Sequence, residues 1–272
     1  EKLLTILIII FLLTGLLSGF LAGLLGVGGG IIIVPTTYFV LLNLGYSIDN
    51  AMHVAIASSL GIICFTSISS IRSHISLGNV DTIIVRKWVL GIITGSLLGS
   101  YLASNISGEI LVIIFVILAI IIAINMALQT NPIIVLKNVP NSKLLNFFIS
   151  FFISFLSVLM GIGGGSFSVP TLTMFSQKIH RAVGTSAVFG FFIALPGAII
   201  FMIIGSIDEN TTKYSLGYVN LAIVALVSIT SVFTANIGAK ISSKINKITL
   251  RRIFAIFLLF TCTSLIIEHY II

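Results

Sequence analysis

Two phrases in this chain place exposed backbone chemistry inside apolar sequence: LGVGGGIIIVPT over residues 25–36 and MGIGGGSFSVPT over residues 160–171. Glycine has no Cβ, so the N–H groups of Gly28, Gly29 and Gly30, and of Gly163, Gly164 and Gly165, can approach a ligand directly. Pro35 and Pro170 follow each triplet and free a carbonyl from the helix ladder, which makes them hinge candidates. A short helix starting at such a break turns the positive end of its dipole toward it, a site suited to an anion. The Gly-Lys-Ser/Thr ending of a phosphate loop is missing from both phrases. Close helix packing through small residues is the other reading, although matched triplets exceed what packing requires.

Hydroxyls stand near both phrases. Ser58 and Ser59, with Thr185 and Ser186, fall about one turn into the next helices, where they can donate to anion oxygens or bond back to helix carbonyls. Ser166 belongs to the second phrase itself. His53 and His180 occupy matched places and read as a proton-sensitive gate or anion contact, or as solvated helix ends. Asn125 and Asn236 read as interhelical hydrogen-bonding residues. Cys64 and Cys262 have no His or Cys at metal spacing, so they read as packing residues; no metal or cofactor is implied. Asp49, Asp81, Glu109, Asp208, Glu209 and Glu268 lie in loops or at helix ends, which disfavours a cation carrier. Neither a Ser-His-Asp set nor a His-Glu-x-x-His motif is present, so an enzyme is not expected.

The elements that hold these residues follow from composition. The chain has 272 residues, 58% hydrophobic and 8% charged, against roughly 25% charged in soluble domains. Its mean hydropathy is +1.24. Apolar windows at 3–25, 51–71, 88–104, 110–128, 144–161, 183–204, 217–239 and 253–267 predict an all-α integral membrane protein with about eight spanning helices. The net charge of +7 comes from Lys and Arg between these windows. They read as orientation signals, and nucleic acid is not an expected partner. A cleaved signal peptide at the first window is rejected, because cleavage there would remove part of the repeat described next.

The chain reads as one unit written twice. Aligning the glycine triplets also aligns Pro35 with Pro170 and Thr36 with Thr171; HVAIASSL (53–60) then matches HRAVGTSA (180–187), and GSYLASNISGEILVIIF (99–115) matches GAKISSKINKITLRRIF (238–254). This divides the chain into a first transmembrane repeat at 1–128, a cytoplasmic linker at 129–143 and a second transmembrane repeat at 144–272. Cations cluster at 72–87, 128–143, 176–181 and 240–252, predicted to be cytoplasmic. The stretches 43–50, 105–109 and 205–216 carry Asp49, Glu109, Asp208 and Glu209 with one cation, Lys213, and are predicted to face outward; Lys2 is the exception to this pattern. Corresponding loops then fall on opposite sides, so the repeats are predicted to be inverted, each with a Gly-rich broken hairpin that enters and leaves by one face.

The phrases GLLGVGGGIIIVPTTY and LMGIGGGSFSVPTLT, the two His-x-Ala-x-x-Ser/Thr-Ser helices and the pair GSYLASNI and GAKISSKI resemble the sulfite exporter TauE/SafE family of membrane transporters over essentially the whole chain. The resemblance implies a multi-pass permease of a bacterial inner membrane whose substrate is sulfite, a sulfonate or a related sulfur-containing organic anion. It carries over to the Gly and Pro residues of both phrases. Ser166 and Ser168 stand where the first copy has Ile31 and Ile33, so the two hairpins are chemically unequal. The expected mechanism is alternating access, with an oxyanion held between the hairpin tips by backbone N–H groups and by Ser58, Thr185 and Ser166. Expected partners are that anion, the lipid bilayer and, as a homo-oligomer, further copies of the chain. An anion channel and a scaffold without a ligand are the alternatives.

Overall fold

The computed structural model describes residues 2–26, 28–128, 134–206, 212–242 and 247–271. Val27, Asp208, Glu209, Lys244 and linker residues 129–133, all used in the sequence reading, lie outside the described residues. The described chain forms ten helices: α1 (Lys2–Leu25), α2 (Gly30–Asn43), α3 (Ile48–Ser76), α4 (Thr82–Asn105), α5 (Gly108–Leu128), α6 (Lys143–Leu159), α7 (Gly165–Met174), α8 (Ile179–Gly205), α9 (Leu221–Ile241) and α10 (Lys247–Ile271). Each apolar window of the sequence is occupied by a helix. Six of them, α1, α3, α4, α5, α8 and α9, are long and apolar enough to cross a membrane. This is an all-α integral membrane protein.

Helix starts follow local chemistry. Ser47, Asp81, Ser142 and Asn220 cap α3, α4, α6 and α9 by accepting first-turn backbone N–H groups with their side-chain oxygens. The window at 217–239 begins as a two-residue hairpin turn instead of a helix. Strands β1 (Ser215–Leu216) and β2 (Val219–Asn220) pair antiparallel around Gly217, whose φ is +58°, and the Asn220 cap delays α9 to Leu221.

The packing crosses between the two halves of the sequence. On α1, Gly15, Gly19 and Gly23 form one face by their four-residue spacing and meet, in order, Val227, Ser231 and Ala235 of α9. On α4, Gly91, Gly95 and Gly99 do the same against Phe147, Phe151 and Phe155 of α6. In both pairs a Cβ on the glycine would strike a partner carbonyl oxygen, so backbones touch where side chains would otherwise separate them. Both pairs therefore run parallel. Cross-helix hydroxyl bonds fix the register: Thr230 Oγ1 donates to the Leu12 carbonyl at 2.9 Å and Ser154 Oγ to that of Ile92 at 2.6 Å.

α3 is the central element. Of its most apolar stretch 72% is buried, against 28% for α1. It lies antiparallel to α8: His53, near the start of α3, stacks on Tyr218 just beyond the end of α8, with ring centroids 4.8 Å apart, while Asp81, beyond the end of α3, meets Arg181 at the start of α8. Outward faces are studded with exposed Leu, Ile and Phe, among them Leu17, Leu90, Phe152 and Phe233. Water would not tolerate such a surface and lipid does.

Candidate functional site

Both glycine phrases form hairpins. After α1 the chain turns at Gly26 and Gly29 (φ +71° and +76°), and after α6 at the matched Gly161 and Gly164 (φ +65° and +76°). These left-handed angles are routine only for glycine. Gly29 lies against the Ser18 backbone of α1, so α2 leaves the turn beside the helix that entered it. Gly164 likewise lies 3.5 Å from Ser157 Oγ of α6, measured from where its Cβ would be. The half-helices begin at the last glycine of each triplet. The Gly29 carbonyl accepts from the N–H of Ile32 and Ile33 at 3.0 and 3.3 Å, and the Gly164 carbonyl from Phe167 and Ser168 at 3.1 and 2.8 Å. Pro35 and Pro170 thus sit inside α2 and α7, past the breaks. They leave the carbonyls of Ile31 and Ser166 without a helical N–H partner.

The two tips meet. A Cβ on Gly28 would lie 2.8 Å from Gly163 Cα, and one on Gly163 would lie 3.1 Å from Gly28 Cα. Ser59 Oγ donates to the Gly161 carbonyl at 2.7 Å, tying α3 to the opposite hairpin. Two small voids flank the contact. One, of about 10 Å³, is lined by Gly26, Gly28, Thr66, Ser67, Ser70 and Gly190. The other, of about 30 Å³, lies between Leu24, Asn125, Gly165, Ser166 and Pro170. Each is the size of one or two waters. The hydroxyls of Ser70 and Ser166 are buried in them without a hydrogen-bond partner. An unpaired buried hydroxyl costs roughly 1–3 kcal/mol, so its retention asks for a reason.

The other expected site residues are placed differently. Ser58 Oγ accepts the backbone N–H of Asn220 at 2.9 Å, and Thr185 Oγ1 accepts that of Asp81 at 3.0 Å. Both acceptors thereby hold the residue that caps a helix of the other half, α9 or α4. Ser58 and Thr185 are braces at opposite ends of the molecule and are not brought together at the tips. Ser186 Oγ pairs with Ser168 Oγ at 2.8 Å. His53 is buried, with Nδ1 2.7 Å from the Asp49 carbonyl oxygen and Nε2 3.1 Å from that of Ala103. A neutral imidazole donates to only one of them. His180 is half-buried at the other end, so the matched histidines have unlike surroundings.

Sequence reasoning missed Ser70 and Thr66, which are two of many hydroxyls in FTSISSIRS. Their four-residue spacing on one face was the available signal. It also missed Asp81, whose carboxylate caps α4 and pairs with Arg181 at 3.4 Å.

A closed bundle with two broken hairpins meeting at its centre and a lipid-facing exterior defines a class: a multi-pass membrane transporter. The sequence profile described as sulfite exporter TauE/SafE matches residues 11–265, and the chain belongs to that family. It is similar to a "Probable membrane transporter protein" of Haemophilus influenzae, 32% identical over 254 residues that cover 90% of this chain and 92% of the relative. Two further relatives are "Probable membrane transporter protein YunE" of Bacillus subtilis (29% identical; 90% and 92% covered) and "Probable membrane transporter protein MJ0441" of Methanocaldococcus jannaschii (28%; 84% of each). No solved structure matches the chain.

Proposed function

We propose that this transporter is a permease for a small anion, a sulfur oxyanion or sulfonate, working by alternating access between two inverted repeats. The observation that carries the reading is the backbone-to-backbone meeting of Gly28 and Gly163 beside the unpartnered hydroxyls of Ser70 and Ser166. Hydroxyl and backbone N–H donors without a compensating carboxylate suit an anion. The voids are too small for an oxyanion, so substrate entry requires the tips to part, and this conformation is the occluded one. Inversion is supported by the antiparallel course of the matched helices α3 and α8 and by the matched braces, Ser58 on Asn220 and Thr185 on Asp81, at opposite ends of the molecule. With α1–α2 and α6–α7 as hairpins that enter and leave by one face, α3, α4 and α5 cross in the first half and α8, α9 and α10 in the second, an odd number that inverts the second repeat. With the cation-bearing ends cytoplasmic, a monovalent anion leaving a negative-inside cell gains roughly 2.3 kcal/mol per 100 mV.

The test is the melting temperature of the purified protein in detergent across sulfite, thiosulfate, sulfate, small sulfonates, carboxylates and chloride at fixed ionic strength. One sulfur-anion class raises it, and Ser70→Ala with Ser166→Ala abolishes the rise. Equal response to all anions, or none together with no anion flux into proteoliposomes, overturns the proposal.

A further inference from the structure

A large hollow lies away from the hairpin tips, on the outer surface between α3, α8 and α9. It has a volume of about 680 Å³ and an apolar lining that includes Cys64 and Phe65 of α3, Leu195 and Met202 of α8, and Ile229 and Phe233 of α9. Through Phe65 and Val232 it continues into a second hollow of about 300 Å³ toward the ends of α3 and α9 that carry Arg72 and Lys240. The chemistry changes there. Ser69, Arg72, Ser73 and Asn236 line this part. Its floor is pinned: Ser69 Oγ donates to the Val232 carbonyl at 2.7 Å and Ser73 Oγ to Asn236 Oδ1 at 2.9 Å. The bond through Oδ1 leaves both amide hydrogens of Asn236 available.

Arg72 is exposed, and among the described residues the one ion pair is Arg181 with Asp81. Lys240, exposed and one turn beyond Asn236, falls on the same side of α9 and adds a second cation. No acidic residue occurs in α9, and that of α3 is Asp49 at its opposite end. From Asn236 to Leu221 the run is about 22 Å at ~1.5 Å per residue, more than the ~15 Å of one leaflet's hydrocarbon.

We infer that this groove is a binding site for an anionic phospholipid of the leaflet on the Arg72 side, with its phosphate at Arg72, Asn236 and Lys240 and one acyl chain along α9 past the midplane. The order of chemistry along the groove is that of a lipid: two cations and an amide at the membrane interface, then a wall that is apolar but for Ser228. A helix from a second copy would bring apolar surface along its whole length and leave Arg72 facing it.

The test uses the full chain purified in detergent, with retained lipid read by native mass spectrometry and melting temperature. Dioleoyl phosphatidylglycerol binds and raises the melting temperature, whereas dioleoyl phosphatidylcholine and glycerol phosphate do not. Arg72→Gln weakens phosphatidylglycerol binding about fivefold while leaving the lipid-free melting temperature in place, because the side chain is exposed. Ala225→Trp, which fills the apolar run, abolishes retention. Equal binding of phosphatidylcholine, an unchanged affinity in Arg72→Gln, or a lipid-free dimer that shields this face each overturns the inference.

Discussion

The two glycine hairpins turn at matched glycines and differ in chemistry. The first turns at Gly26 and Gly29 and feeds the 14-residue α2, whose Ile31 and Ile33 are fully buried. The second turns at the matched Gly161 and Gly164 and feeds the 10-residue α7, where Ser166 and Ser168 stand in those places. Ser168 is satisfied by the Gly164 carbonyl and by Ser186, whereas Ser166 has no partner. The fold demands glycine at the turns of both hairpins and is indifferent to polarity one residue after the triplet. One hairpin is core at these positions and the other carries a buried, unpaired hydroxyl.

Substitutions sharpen this contrast, beginning with the largest effect. Gly28→Leu drives a side chain into the Gly163 backbone at a left-handed φ, whereas Gly164→Leu meets the flexible end of Ile193. The first costs about 4 kcal/mol or more and the second about 1–3 kcal/mol, read as melting temperature and as monodisperse yield in detergent. Equal losses would mean that the tip contact does not support the fold. Next, Ile31→Ser gives the first hairpin the chemistry of the second without a void to receive it. A loss of about 3 kcal/mol follows from the cavity and the unpaired hydroxyl.

Asp81→Ala and Asn220→Ala remove matched caps of α4 and α9, each costing about 1–2 kcal/mol. The Asn220 variant loses more, because its amide also donates to Thr212 Oγ1 and the Lys213 carbonyl at 3.0 Å each, whereas Asp81 adds an ion pair to the half-exposed Arg181. Raising the salt concentration weakens that pair and widens the gap between the two. A gap unaffected by salt would mean that the ion pair contributes nothing. The smallest effect belongs to Ser166→Ile. It changes stability by less than about 1 kcal/mol, since an unpaired hydroxyl is replaced by apolar volume, yet it removes the anion-induced rise in melting temperature. A rise that survives in this variant moves the anion contact away from the second hairpin.

What the sequence disclosed is what its local chemistry controls. Apolar runs marked all eight long helices because hydropathy is a property of the segment itself. The glycine phrases marked the breaks, since few other residues accept their angles. The hydroxyls were harder to read. Ser58 and Thr185 are spaced like ligand donors, but their partners, Asn220 and Asp81, stand 162 and 104 residues away, and only the folded bundle brings them together. The same holds for the glycine faces of α1 and α4: the spacing declares close packing, while nothing local says that their partners are α9 and α6.

That exchange of partners bears on how the protein is made. The Gly15 contact of α1 is completed by Thr230 and Val227, which leave the ribosome more than 200 residues later. At ~5–20 residues per second, α1 waits roughly 10–40 seconds in the membrane with its glycine face uncovered. Biogenesis is therefore a matter of holding the first half open for the second, and a nascent chain cut short before α9 presents the cell with a bare small-residue face that any passing helix can take.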